Sequence, residues 1–236
     1  MIALPIARWI WGDSVIPAMS TASTVFQCLA VLVVLLKTWH LPRLVPAVAL
    51  TAILTWSAEF LGHTTGFPFG DYSYSGLLQP QLLDVPLLIP LAWLMMLGPS
   101  WAVSYAVLGD KVRTRRDWVL FAALTGLAMT AWDLYLDPQM VGWGFWTWEQ
   151  SGPYFGIPLS NFAGWFAVAG LVTLCIRPPR LSIGPLLLVY AVVWAFQAIG
   201  LAVFWEQPGP ALFGFVGMGA VMGIAGYRAR RAQWTL

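Results

Sequence analysis

With 236 residues, 59% of them hydrophobic and only 9% charged, at a mean hydropathy of +0.74, the chain carries more apolar surface than one water-soluble core can hide. Its solvent is therefore lipid. The formal net charge of +2, with twelve Lys and Arg scattered in short clusters, excludes a continuous basic face and so argues against nucleic-acid binding.

The first dozen residues, with Arg8 among Trp9, Ile10 and Trp11, lack the charged start and clean apolar core of a cleavable signal and read as an interfacial lead-in. Apolar stretches able to cross a bilayer then run over 18–36, 44–62, 83–108, 117–136, 158–176, 184–205 and 209–227. At about 20 residues per crossing they predict an all-α polytopic membrane helix bundle of about seven transmembrane helices. The third stretch is the longest and holds Pro86, Pro90 and Pro99, which predicts a kinked or tilted helix with an extra turn. Cys28 and Cys175 fall inside spans without CxxC spacing and read as packing residues. With no repeat and no long linker, residues 1–236 read as a single transmembrane domain.

Charge sets the expected orientation. Lys37 and Arg43, then Lys111, Arg113, Arg115 and Arg116, then Arg177 and Arg180, then Arg228, Arg230 and Arg231 fall on one side of the seven spans, leaving only Arg8 on the other. The positive-inside rule then predicts a cytoplasmic C-terminus and an N-terminus outside. Asp13, Glu59, Asp71, Asp84, Asp133, Asp137, Glu149 and Glu206 gather at the opposite side, with Asp110 and Asp117 among the basic loops. An acidic, aromatic outer mouth is expected.

The second span ends in Glu59-Phe-Leu-Gly-His63, a spacing that puts carboxylate and imidazole on one helical face, able to share a proton or a ligand or simply to pair at the water boundary. The fourth ends in Asp133-Leu-Tyr-Leu-Asp137-Pro138, two acids a turn apart before a proline expected to stop the helix. Two close carboxyls resist joint ionisation, so in a dry site one can act as acid while its neighbour acts as base; alternatively one of them faces headgroup water. Asp133, a turn deeper, is the candidate acid. The fifth span opens with Tyr154 to Trp165, placing Asn161 and Trp165 on one face, where the amide can orient a water or hydroxyl or bond between helices. Gln197 and Tyr190 read as structural. The outer loops around Asp71, Tyr72 and Tyr74, and around Trp143, Trp146 and Trp148, fit either an interfacial belt or a lid over a pocket.

Glu59-x-x-Gly62-x-x-Thr65-Gly66-x-Pro68-Phe69-Gly70-x-Tyr72-x-Tyr74, Asp133 to Pro138, Gly142 to Trp148 and Tyr154 to Trp165 together resemble the carotenoid-biosynthesis membrane family of bacteria and archaea, over roughly residues 50–170. Its best-known members are hydratases of the bisanhydrobacterioruberin and γ-carotene type. The resemblance implies residence in the prokaryotic cytoplasmic membrane and addition of water across the terminal C1=C2 bond of an acyclic carotenoid, without an organic cofactor. Pathway enzymes are possible partners besides membrane lipid. Under that reading Asp133 donates the proton, while Asp137 or Glu59, with His63 and Asn161, handles the attacking water. Trp143, Trp148, Trp165, Tyr72 and Tyr74 are candidates to stabilise the cation, and Asp71, Asp84 and Tyr154 join the substrate-binding set.

Three other readings compete. End-group cyclisation shares the first protonation. Asp133-x-x-x-Asp137 is also similar to the acidic motifs that hold Mg²⁺ and diphosphate in membrane prenyltransferases, but the outer side offers only Arg8 for a diphosphate. A non-catalytic carotenoid or lipid binder needs the pocket but no working acid. A metal enzyme is disfavoured, because the second histidine, His40, lies on the basic side, away from Glu59 and His63, which leaves only a carboxylate-rich metal site open.

Overall fold

The structure, a computed structural model, describes residues 3–109 and 112–231, with side chains described as far as residue 228; Asp110 and Lys111 lie outside the described residues, and so do the side chains of Arg230 and Arg231. A short helix α1 (Ala3–Trp11) and a single 3-10 turn (Asp13–Val15) lead into seven long helices: α2 (Ile16–Leu36), α3 (Leu41–Thr65), α4 (Leu88–Leu108), α5 (Arg115–Gly142), α6 (Leu159–Ile176), α7 (Ile183–Val203) and α8 (Pro208–Arg231). All seven are long and apolar enough to cross a membrane, as the hydropathy predicts. The chain is an all-α membrane helix bundle.

The way apolar residues are distributed shows what surrounds the bundle. Phe26, Leu29 and Val33 on α2 and Leu188, Ile199 and Val203 on α7 point outward, an arrangement that only lipid tolerates. Helix α4 is instead buried on almost every side, packing against α2, α3, α5, α7 and α8. Because lipid gives little apolar drive for helix association, polar links carry much of the specificity. Trp101 Nε1 donates to Thr173 Oγ1 at 2.9 Å, the hydroxyls of Ser104 and Thr125 meet at 2.9 Å, and the Tyr190 hydroxyl donates to the Ala128 carbonyl at 2.9 Å, the structural role expected of it. Cys28 is buried and Cys175 exposed, each inside a helix.

Short connections make successive helices antiparallel, so the loops collect at two faces. On the basic face Trp39 Nε1 and the Tyr105 hydroxyl reach the carbonyls of Arg180 and Pro178. The acidic face carries the longer loops, which contain two small ribbons: β1 (Tyr72–Tyr74) paired with β4 (Trp146–Trp148), and β2 (Gln81–Leu82) paired with β3 (Val85–Pro86).

Two helix boundaries differ from expectation, each for an identifiable reason. The third span begins at Leu88, not 83, because Leu83 and Asp84 take positive φ of 49° and 62° as the two central residues of the β2–β3 hairpin. A tight two-residue turn requires that conformation, and Pro86 consequently sits in a strand and not in a kinked helix. The longest helix is α5, which runs through Pro138 to Gly142 and does not stop there. A proline in mid-helix leaves the carbonyl four residues earlier without its N–H. Here that carbonyl, Leu134, receives the Tyr154 hydroxyl at 2.9 Å, while Gln207 Nε2 holds the Pro138 carbonyl at 2.9 Å. Tyr154→Phe is therefore expected to lower stability by about 0.5–1.5 kcal/mol, since one part-buried carbonyl loses its donor. Thermal unfolding in detergent checks this, and an unchanged midpoint would refute the substitution of donors.

Candidate active site

Three carboxyls meet below the acidic face. Glu59 comes from the last turns of α3, and Asp133 and Asp137 from one face of α5, where a spacing of four residues stacks them a turn apart. Their exposures are 5%, 0% and 2%, so water at the headgroup level does not solvate them. Their partners come from the protein instead. Glu59 takes the hydroxyls of Tyr72 and Tyr74 on Oε2, each at 2.7 Å, and Trp93 Nε1 on Oε1 at 3.0 Å. Asp137 takes Trp146 Nε1 at 2.7 Å and Trp148 Nε1 at 3.2 Å on Oδ1. The Asn161 amide from α6 donates to Asp133 Oδ2 and Asp137 Oδ2 at 2.7 Å each, tying the pair together.

Donor supply is unequal. Glu59 and Asp137 each accept three donors, whereas Asp133 accepts one, and its Oδ1 is buried without a hydrogen-bond partner among the described residues. Since an unpaired buried oxygen is costly, an orphan carboxyl oxygen marks the place where a proton is best accommodated.

Strand geometry explains how four of these donors arrive together. In the β1–β4 ribbon Tyr72 faces Trp148, Ser73 faces Thr147 and Tyr74 faces Trp146. Side chains alternate along a strand, so the four aromatic residues share one face and turn inward, while Ser73 and Thr147 turn out. The ribbon is thus a lid whose inner face is made of N–H and O–H donors. Burial, and then the Glu59 carboxylate beside them, hold the Tyr72 and Tyr74 phenols well above their ordinary pKa, so they remain hydroxyl donors. Phe69 anchors the lid: its ring lies 2.7 Å and 2.5 Å from where a Cβ would stand on Gly62 of α3 and Gly164 of α6, space that only glycine leaves. Ser160 Oγ also donates to the Phe69 carbonyl at 2.8 Å.

Beneath the lid is a cavity of about 30 Å³, lined by Glu59, Asp137, Asn161 and the rings of Phe69, Tyr72, Tyr74, Trp93, Trp146, Trp148 and Trp165. Trp93 stacks on Trp165 with centroids 4.0 Å apart, and Trp132 meets Trp165 edge to face at 5.7 Å. Asp133 lies behind, reaching this set through Asn161.

The other sequence candidates are placed elsewhere. His63 does not pair with Glu59; its Nδ1 lies 3.4 Å from the Tyr72 carbonyl, and its ring packs beside Tyr72 and Tyr74 behind the lid. Asp71 is exposed and folds over Gly66, and Asp84 is an exposed turn residue; neither lines the cavity. Trp143 packs against Trp205 and Phe145 on the other side of α5. Tyr154 serves the Leu134 carbonyl, as described above. Three residues of the site, Phe69, Trp93 and Trp146, are absent from the sequence-derived set. The alternation Trp146-Thr-Trp148, mirroring Tyr72-Ser-Tyr74, was the available signal for Trp146. Trp93 had none, being one more aromatic residue in an apolar run.

Every oxygen of the three carboxyls except Asp133 Oδ1 accepts an N–H or O–H donor. A model of the carotenoid biosynthesis protein family matches residues 19–219. The chain belongs to that family. It is also 31% identical over 128 residues to the bisanhydrobacterioruberin hydratase of Haloarcula japonica, a match covering 54% of this chain and 42% of that protein. The match therefore spans less than half the length of this relative. No solved structure matches.

Proposed function

We propose that the protein hydrates the terminal C1=C2 bond of an acyclic carotenoid by acid–base catalysis. The observation that carries this reading is the set of three buried carboxyls with unequal donor supply beneath an aromatic lid. The name of the haloarchaeal relative supports the same chemistry.

In the proposed reaction the Asp133–Asp137 pair, with Asp133 as the store of its proton, protonates C2. The alkene π pair forms the new C–H bond and leaves a tertiary cation at C1. A water bound beside Asp137 and Glu59 then adds to C1 and returns a proton to the carboxylate pair, so alkene and water become a tertiary alcohol with no net change in the protein. Facing aromatic rings stabilise such a cation by about 0.5–2 kcal/mol each and exclude stray water. Trp93, Trp165, Tyr72, Tyr74 and Trp148 surround the cavity and fill this role. His63, behind Tyr72, supports the lid in this scheme.

At about 30 Å³ the cavity has room for two or three waters, each needing about 10–15 Å³, but not for a polyene end. Substrate entry therefore requires the lid or the helices below it to part. The basic face is taken as cytoplasmic by the positive-inside rule, which puts the lid on the outer side of a prokaryotic cytoplasmic membrane.

The test is incubation of the purified protein, without added cofactor, with an acyclic carotenoid in H₂¹⁸O. Product heavier by one labelled water is the expected result. An isomer of unchanged mass would indicate cyclisation, and binding without conversion would indicate a carrier; either would overturn the proposal.

A further inference from the structure

The carboxylate cavity is the innermost of three spaces that share walls. A vestibule of about 630 Å³ opens on the acidic face beside Arg8, Asp13, Glu206 and Gln207. Trp143 and Trp205, packed edge to face at 4.8 Å, line both that vestibule and a second cavity of about 80 Å³. Leu136 in turn lines both the second cavity and the carboxylate cavity.

The walls of the second cavity are mostly apolar but carry a set of uncharged polar side chains. Ser20, Ser23, Thr24 and Gln27 recur at helical spacing on α2, a helix that is otherwise largely apolar, and the stripe they form lines the cavity. Gln139 and Gln197 face the same space, both buried, with Gln197 Nε2 donating to Gln139 Oε1 at 3.1 Å. Ser20 is nine-tenths buried and its Oγ has no partner among the described residues. A chamber of this size, at about 10–15 Å³ per water, has room for several waters, and these side chains offer donors and acceptors to hold them.

We propose that these three spaces form the path by which water reaches the carboxylates from the aqueous face. An apolar polyene arrives from lipid, whereas the second reactant of a hydration arrives from water. The Trp143–Trp205 pair and Leu136 are the narrow points. The inference rests on the hydration reading of the site, but its first readout does not require turnover.

That readout is hydroxyl-radical footprinting by pulsed X-ray radiolysis of the full chain in lipid nanodiscs, since bound water generates radicals where it sits. Met95 and Met140 line the second cavity and Trp93 lines the carboxylate cavity. Both methionines are expected to label several-fold faster than Met129, which is fully buried and lines none of the three spaces, and Trp93 is expected to label despite its burial. Two variants close the path. Thr24→Val with Gln27→Leu makes the stripe apolar. Gly200→Leu fills the cavity from α7, where a Cβ would meet only the Trp205 ring, at 3.8 Å. In both, labelling of Met95, Met140 and Trp93 is expected to fall, and incorporation of ¹⁸O into product to slow several-fold with carotenoid affinity unchanged. Methionine labelling no faster than that of Met129 overturns the path, and so does Trp93 labelling that persists in the closed variants. Expected labelling in a protein that makes no hydrated product supports the path and overturns the hydratase reading instead.

Discussion

Asp133→Asn is expected to lower the rate of carotenoid hydration by about 10²–10⁴-fold, the range associated with losing a positioned acid. Asparagine keeps the shape of the side chain, and its carbonyl oxygen can still accept the Asn161 amide that now reaches Asp133 Oδ2 at 2.7 Å. What it cannot do is carry the proton assigned to the unpartnered Oδ1. Carotenoid affinity and the unfolding midpoint should therefore stay near those of the parent protein while turnover falls. Initial rates of labelled-alcohol formation, measured beside pigment binding, check this. Activity within a few-fold of the parent would show that the proton comes from elsewhere, with Asp137 or Glu59 next in line. A protein that only carried pigment would show no difference between the two forms.

Glu59→Ala is expected to have the largest effect on stability. Glu59 is the common acceptor for Tyr72, Tyr74 and Trp93, so its removal strands the Tyr74 hydroxyl and the Trp93 N–H and leaves Tyr72 only the Glu59 main-chain carbonyl, at 3.2 Å. Each stranded donor costs about 1–3 kcal/mol where water does not replace the lost partner. At about 2–4 °C per kcal/mol for a chain of this size, the loss should appear as a fall of many degrees in the unfolding midpoint. Glu59→Gln keeps an acceptor oxygen and should fall by clearly less. Thermal unfolding of both variants in one detergent makes the comparison, and equal midpoints for Glu59→Ala and the parent would mean that the lid does not depend on this carboxylate.

The bundle was legible because lipid imposes a simple demand: each crossing needs an uninterrupted apolar run, and the seven runs stand apart in the sequence. The stacking of Asp133 over Asp137 was equally legible, because a spacing of four fixes the face of a helix whatever surrounds it. Helix ends at prolines were not. Pro138 lies inside α5 because a hydroxyl from a residue sixteen positions later serves the carbonyl that proline leaves unpaired, and no local rule contains Tyr154. Asp71 and Asp84 looked like members of the acidic site because they are near its motifs in sequence, yet Asp84 occupies a hairpin turn that turns it outward. Glu59 and His63 share a helical face without sharing a proton, since three other donors reach the carboxylate. The direction in which an indole N–H points depends on the whole packing, which is why Trp93 was unmarked in the sequence and is central in the structure.

The β1–β4 ribbon also bears on how the protein is made. Its two strands are separated by the whole of α4 and α5, and Asn161 follows later still, on α6. In a chain synthesised and inserted from its N-terminal end, Glu59 enters the bilayer before Trp93, and Asp133 and Asp137 enter before Trp146, Trp148 and Asn161 are in place. For that interval the three carboxyls are in or near lipid without the donors that later satisfy them, at the cost that makes intramembrane acids rare. The proposed catalytic centre is thus among the last parts of the molecule to become stable, and a nascent chain that stalls after α5 presents two acids, Asp133 and Asp137, without the donors of β4 and α6.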